Sequence, residues 1–209
     1  MITKDEFIKL IKPHEPCQEG LDLINECKDM EEVFKELSSD GWRWLLTYLP
    51  QFIAHCDCLD SLNAYDLCQL LQLQPQLTGY CNWTGISGEG WTWLLKRIPQ
   101  LACRCDCWDR LAGDDWSELL KLRPQLAEYC KFWDKLSGCD WSYLLQEQPQ
   151  FAEHCDWSLL ISCDWVRLLK VQSKFSEHCD WESLDGNDWS WLLTYRPTFR
   201  KYKEIHYDN

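Results

Sequence analysis

Three features predict an all-α fold, an α-solenoid of about seven short helical repeats with a cap at each end. A Leu-Leu pair returns every 24–25 residues, a proline follows it at a fixed distance, and a cysteine follows the proline at another. The pairs stand at 45–46, 70–71, 94–95, 119–120, 144–145, 168–169 and 192–193. Prolines follow at 50, 75, 99, 124, 149 and 197, with Ser173 in the one remaining slot. Six residues beyond these slots come Cys56, Cys81, Cys105, Cys130, Cys155 and Cys179. Self-similarity at a fixed period marks units that cannot bury their apolar faces alone and must stack to do so.

One unit, DWSYLLQEQ-PQFAEHC-DWSLL from residue 140, shows why each element should form. Asp140 is the expected N-cap of a first helix, with Trp141, Leu144 and Leu145 at i, i+3 and i+4 on one face. Pro149 should end that helix and open the next, because its missing N–H costs nothing in a first turn. Phe151, Ala152 and Cys155 continue an apolar face through the second helix. Asp156 is the expected N-cap of a short turn or third helix that holds Trp157. A helix of about eight residues spans only ~12 Å and is marginal alone, so stability must come from stacking on neighbouring units.

The ends depart from the repeat. Residues 1–39 lack it, but Thr3 to Glu6 reads as a capping box and DMEEVFKEL as a second helix. The tail keeps Pro197 and Phe199 but carries Lys203 in the cysteine slot. The chain therefore divides into an N-terminal helical cap (1–39), tandem repeats (40–199) and a C-terminal cap or tail (200–209).

A hydrophobic content of 45% with 14 tryptophans is too apolar for a disordered chain. The net charge of −13 argues against direct binding to a phosphate backbone, which draws its affinity from Lys and Arg. No apolar h-region follows the N-terminus and no run reaches the roughly 18–20 apolar residues that span a bilayer. The expectation is a cytoplasmic protein without a membrane segment.

Six of the 14 cysteines occupy the repeat slot, where stacking would hold them too far apart for disulfides and where Cys serves as a small core residue; the others are scattered. Cys103, Cys105 and Cys107 should diverge from one another, and no Cys-x-x-Cys pair with matching histidines supports zinc. No metal site or cofactor is expected. His55, His154 and His178 each precede a slot cysteine, but Tyr80, Arg104 and Tyr129 take that place elsewhere. The position reads as a variable, half-exposed surface site. No catalytic motif is present, so the chain reads as a non-enzyme.

Asp66, Asp115, Asp140, Asp164 and Asp188 precede the first helices, while Asp57, Asp106, Asp156 and Asp180 follow slot cysteines. All nine read as caps; removing them from the 34 acids leaves 25 against 21 bases, so capping explains most of the negative excess. The recurring Gln51, Gln76, Gln100, Gln125 and Gln150 after proline should satisfy backbone groups left open at a helix end.

The tryptophans point furthest toward function. Six open the first helices (Trp42, Trp91, Trp116, Trp141, Trp165, Trp189) and five follow the cysteine (Trp83, Trp108, Trp133, Trp157, Trp181); these read as packing. The other three stand two residues beyond the first slot, off the apolar stripe. That position reads Trp44, Gln69, Trp93, Glu118, Tyr143, Arg167 and Trp191, aromatic and polar in strict alternation. Two readings stand: a recognition ladder, since Trp and Tyr dominate interface hot spots, or packing on the adjoining unit by large–small interdigitation.

The run DWSYLLQEQPQFAEHCDW resembles tandem repeats of uncharacterised bacterial proteins. The likeness covers residues 40–199 and implies the repeat fold without implying a function. LLQLQPQL (residues 70–77) is similar, more loosely, to the Leu-Leu-x3-Pro-x-Leu of mitochondrial transcription termination factor repeats, which bind nucleic acid; the shorter units and acidic surface here keep that activity from being carried over.

The functional expectation is a non-catalytic scaffold that binds another protein, with Trp44, Trp93, Glu118, Tyr143, Arg167 and Trp191 on the contact face. One alternative is an acidic inhibitor that mimics nucleic acid and occupies the groove of a nucleic-acid-binding protein. Another is glycan binding through exposed tryptophans.

Overall fold

A computed structural model describes residues 2–57, 59 and 62–207. Positions 208–209 of the expected C-terminal tail lie outside the described residues. The fold is the all-α repeat solenoid, with no strand among the described residues. The chain divides into two compact units, 1–98 and 99–209.

The first unit begins with α1 (Lys4–Ile11), α2 (Gln18–Glu26) and α3 (Met30–Glu36). The capping box of α1 is present: Thr3 N–H donates to Glu6 Oε2 at 2.9 Å, and Glu6 N–H to Thr3 Oγ1 at 3.3 Å. Asp29 caps α3. Helix α2 gave no cap signal in the sequence, because its N-cap is Cys17, whose Sγ accepts weakly from Gly20 N–H at 3.4 Å. Three first helices then follow, α4 (Ser39–Tyr48), α5 (Ala64–Leu73) and α6 (Gly88–Arg97), with α4 packed on α5 and α5 on α6.

The second unit repeats this stack with α7 (Gly113–Leu122), α8 (Gly138–Glu147), α9 (Ser162–Val171) and α10 (Gly186–Tyr195), each packed on the next. Helix α11 (Arg200–His206) closes it. Trp42, Trp91, Trp116, Trp141, Trp165 and Trp189 are at most 1% exposed, and the Leu-Leu pairs are buried in the core with them, except for half-buried Leu193 of the last pair.

Three local expectations need correction. The first helices start earlier than the aspartates expected to cap them. Ser137 is the N-cap of α8, and Asp140 is the third helical residue, its Oδ2 accepting from Ser137 N–H at 2.9 Å. Asp115, Asp164 and Asp188 accept in the same way from the backbones of Ala112, Ile161 and Asp185. They form the returning half of a capping box, which satisfies an N–H ahead of the helix. Asp66 instead bonds to the side chain of its N-cap Asn63.

Second, of the aspartates after the cysteine, Asp156 accepts from Ser158 N–H at 3.1 Å as an N-cap should, but Asp180 makes no such bond and Cys107 replaces Asp106 as the cap. Third, the second helices opened by Pro50, Pro75, Pro99, Pro124 and Pro149 are 3-10 helices of six residues, while the Trp157 segment is the short turn expected, a 3-10 turn of three. Six residues between a proline and the next cap leave little room for i→i+4 bonds, so the tighter i→i+3 pattern closes the turn.

The repeat boundaries are sealed by rings. Trp133 lies 5.7 Å from Trp141 with planes 19° apart, and 4.3 Å from His154 with planes 6° apart. Trp108 is sandwiched likewise by Trp116 and Tyr129, Trp157 by Trp165 and His178, and Trp181 by Trp189 and Tyr202. In the first unit Phe34 of α3 takes the middle place, 5.6 Å from Trp42 and 4.7 Å from His55. The residue before the slot cysteine is thus a surface position, as expected, and at His55, Tyr129, His154 and His178 it also stacks on a ring.

Helix ends are tied across repeats as well. Gln74, Gln148 and Gln172, each the C-cap of a first helix, donate to a last-turn carbonyl of the preceding one: Thr47 O at 2.6 Å, Lys121 O at 2.8 Å and Gln146 O at 2.8 Å. The glutamines after proline support this at one remove, since Gln76 and Gln150 donate to the side-chain oxygens of Gln74 and Gln148.

Candidate functional site

The positions from Trp44 to Trp191 stand on the outer side of the first helices, away from the buried Trp–Leu–Leu face. Within the first unit they are Trp44, Gln69 and Trp93, all half-buried. Trp44 packs at 5.4 Å against Tyr48, one turn on. Trp93 is held more firmly, with Tyr65 of the preceding helix at 5.0 Å and the Arg97 guanidinium 3.5 Å above its ring. Gln69 accepts from Arg43 at 3.3 Å, and Arg43 also pairs with Asp66 at 3.3 Å.

In the second unit Glu118, Tyr143 and Trp191 are exposed and Arg167 is half-buried. Tyr143 is 45% exposed and Trp191 is 61%. Residues four apart share a helix face, so Leu122, Val171 and Tyr195 extend the same stripe; all are exposed. Trp191 and Tyr195 run near-parallel, with planes 11° apart at 6.4 Å. Tyr143 is flanked by Arg167 at 4.5 Å and by Lys121 at 5.6 Å, and Lys170 lies 3.7 Å over Tyr195.

Arg167 does more than flank a ring. Its Nη1 donates to Ser142 Oγ at 2.8 Å and to Asp164 Oδ1 at 2.9 Å, with Asp164 itself 3% exposed. A buried carboxylate needs a paired, hydrogen-bonded cation. Arg167 therefore ties α8 to α9 while remaining half-buried. Gln69 and Arg167 are bonded to neighbouring helices, while Tyr143 and Trp191 keep open faces.

The titratable side chains are arranged for packing. Burial pushes the Cys130 thiol up to about 11 and those of Cys105 and Cys155 to about 12, and raises Cys179 as well, so these groups are protonated and poor nucleophiles at neutral pH. All described cysteines are free. Contrary to the expected divergence, Cys105 and Cys107 place their sulfurs 3.8 Å apart, both buried, because the turn after the 3-10 helix folds both side chains inward. His154 and His178 sit 3.7 and 3.6 Å from the adjacent Glu153 and Glu177 while stacked on tryptophan. Among the described residues no cluster of three or more His, Cys, Asp or Glu side chains is placed to hold a metal ion, and no helix is long and apolar enough to cross a membrane.

The N-terminal helices carry a feature that sequence reasoning missed. Trp44 forms part of the wall of an open groove of about 690 Å³ bounded by α1, α2, α3 and α4. Its signal was diluted in the sequence, because the lining residues come from four separate elements. Comparison with protein-family models, curated proteins and solved structures finds no match, so the site stands on its own geometry.

Proposed function

We propose that the protein is a non-catalytic scaffold that binds another protein through the outer face of its first helices. One observation carries the reading. Trp191 and Tyr143, with Tyr195, Leu122 and Val171 on the same stripe, expose large apolar surface on helices packed against their neighbours. Rigid aromatics lose little entropy on binding and are the usual anchors of protein interfaces. Glu118, Lys121 and Lys170 surround them with charges suited to a polar rim.

The test is capture of partners from lysate at low and moderate salt with wild type and a Tyr143→Ser/Trp191→Ser variant shown by circular dichroism to be folded. A partner that survives moderate salt and is lost in the variant supports the reading. A partner kept by the variant but released by salt favours acidic mimicry instead, for which the exposed Glu128, Glu153 and Glu177, one per repeat, supply a line of charge.

A further inference from the structure

The groove in the N-terminal unit has a chemistry of its own. Phe7, Ile24, Val33 and Leu45 form a floor that is nearly sealed from solvent, while Leu23, Leu37 and Trp44 stand half-exposed at its walls. The groove has a volume of about 690 Å³. The rim is acidic from two directions. Glu15 and Glu19 stand around the start of α2, and Glu36 and Asp40 around the junction of α3 and α4; all four are exposed. No Lys or Arg is among the lining residues. Asp40 is loosely paired with Arg43 at 3.5 Å, so the main charge comes from the three glutamates.

From this combination we infer that the groove takes a basic amphipathic helix of a partner protein. Apolar side chains at i, i+3 and i+4 enter between Leu23, Leu37 and Trp44, and Lys or Arg on the helix flanks meets Glu15, Glu19 and Glu36. An apolar channel with carboxylates on both borders complements that pattern and repels its acidic counterpart. The Trp44 ring adds a face on which a flanking cation can rest. The inference rests on the proposed scaffold role and adds to it a second site of defined chemistry.

The probe is a synthetic helical peptide of about 18 residues, made of Leu and Lys with Leu at helical spacing, titrated calorimetrically at about 150 mM salt to suppress diffuse charge attraction. Two further peptides are its Leu/Glu counterpart and a scrambled Leu/Lys sequence without helical period. We expect one site for the Leu/Lys helix, no binding of the Leu/Glu peptide and about tenfold weaker binding of the scramble. Glu15→Gln/Glu19→Gln/Glu36→Gln should weaken binding about tenfold, while Glu128→Gln/Glu153→Gln/Glu177→Gln, in the other unit, should change it less than about twofold. The inference is overturned if the Leu/Lys helix does not bind, if the scramble binds equally well, or if both glutamine triples weaken it equally. Tyr143→Ser/Trp191→Ser should leave this titration unchanged. A groove that fails here leaves the outer-face reading standing, and loss of the outer-face partner in capture leaves the groove result standing.

Discussion

Trp133 and His154 lie face to face, their ring centroids 4.3 Å apart and their planes 6° from parallel, although 21 residues separate them in the chain. The same pairing joins Trp157 to His178, and tyrosine serves in place of histidine at Tyr129 and Tyr202. Each such pair clamps the second helix of one repeat onto the last turn of the repeat before it.

Removing the outer ring should therefore cost stability without touching the core. We expect His154→Ala to lower the unfolding free energy by about 1 kcal/mol, and His154→Tyr to be neutral or stabilising, because tyrosine already fills this place in other repeats. Urea unfolding followed by far-ultraviolet circular dichroism measures both. A His154→Ala protein as stable as wild type would mean that the stack contributes nothing.

Gly138, the first residue of α8, meets the next repeat at its backbone. A Cβ there would lie 2.1 Å from Leu159 O, and at Gly113 it would lie 2.3 Å from Lys135 O. Helix propensity alone favours alanine over glycine by about 1 kcal/mol. Steric conflict with a carbonyl that cannot swing away should outweigh it, so Gly138→Ala is expected to destabilise by about 1–3 kcal/mol. Gly79, with open space around it, is the control and should accept alanine without loss. Chemical denaturation of the two variants decides the matter.

The buried thiols set an alkaline limit. Cys155, ordinarily near 9.0, is pushed up to about 12 by burial, and Cys130 to about 11. In the unfolded chain these thiols lose their protons first, so above pH 9 the folded state binds more protons than the unfolded one. Stability is then full below about pH 9 and falls as pH rises toward 11–12, each thiol adding up to ~1.4 kcal/mol per pH unit. Thermal melts between about pH 8 and 10 should show a falling midpoint, and Cys130→Ala/Cys155→Ala should flatten that slope. Exposed Cys17, Cys103, Cys139 and Cys163 should alkylate well before Cys105, Cys107 and Cys130.

The repeat was legible because its determinants are local: Leu144, Leu145 and Pro149 sit at fixed spacing and each acts within its own helix. What bridges repeats was hidden. Phe34 stands eight residues before Trp42, as Trp133 does before Trp141, but its place in an unrelated helix and the change from Trp to Phe concealed the register. Nothing local to Gln148 marks its partner, the carbonyl of Lys121, which lies 27 residues earlier in the chain. Of the outer-face positions, the sequence placed all of them off the core but could not divide Arg167, tied to buried Asp164, from Trp191, which is open to solvent. That division depends on which neighbour faces each residue across the helix boundary.

Trp189 and Trp191 offer the most direct test, since they stand two residues apart on one helix and face opposite ways, at 0% and 61% exposure. The measurement is thermal unfolding of Trp189→Ser and Trp191→Ser side by side. Trp189→Ser should lose about 3–5 kcal/mol, as core aromatics do, and Trp191→Ser should stay within about 0.5 kcal/mol of wild type. That would leave Trp191 surplus to the fold and free for recognition. Comparable losses in both variants would show that the outer ring is packing, and would contradict the account.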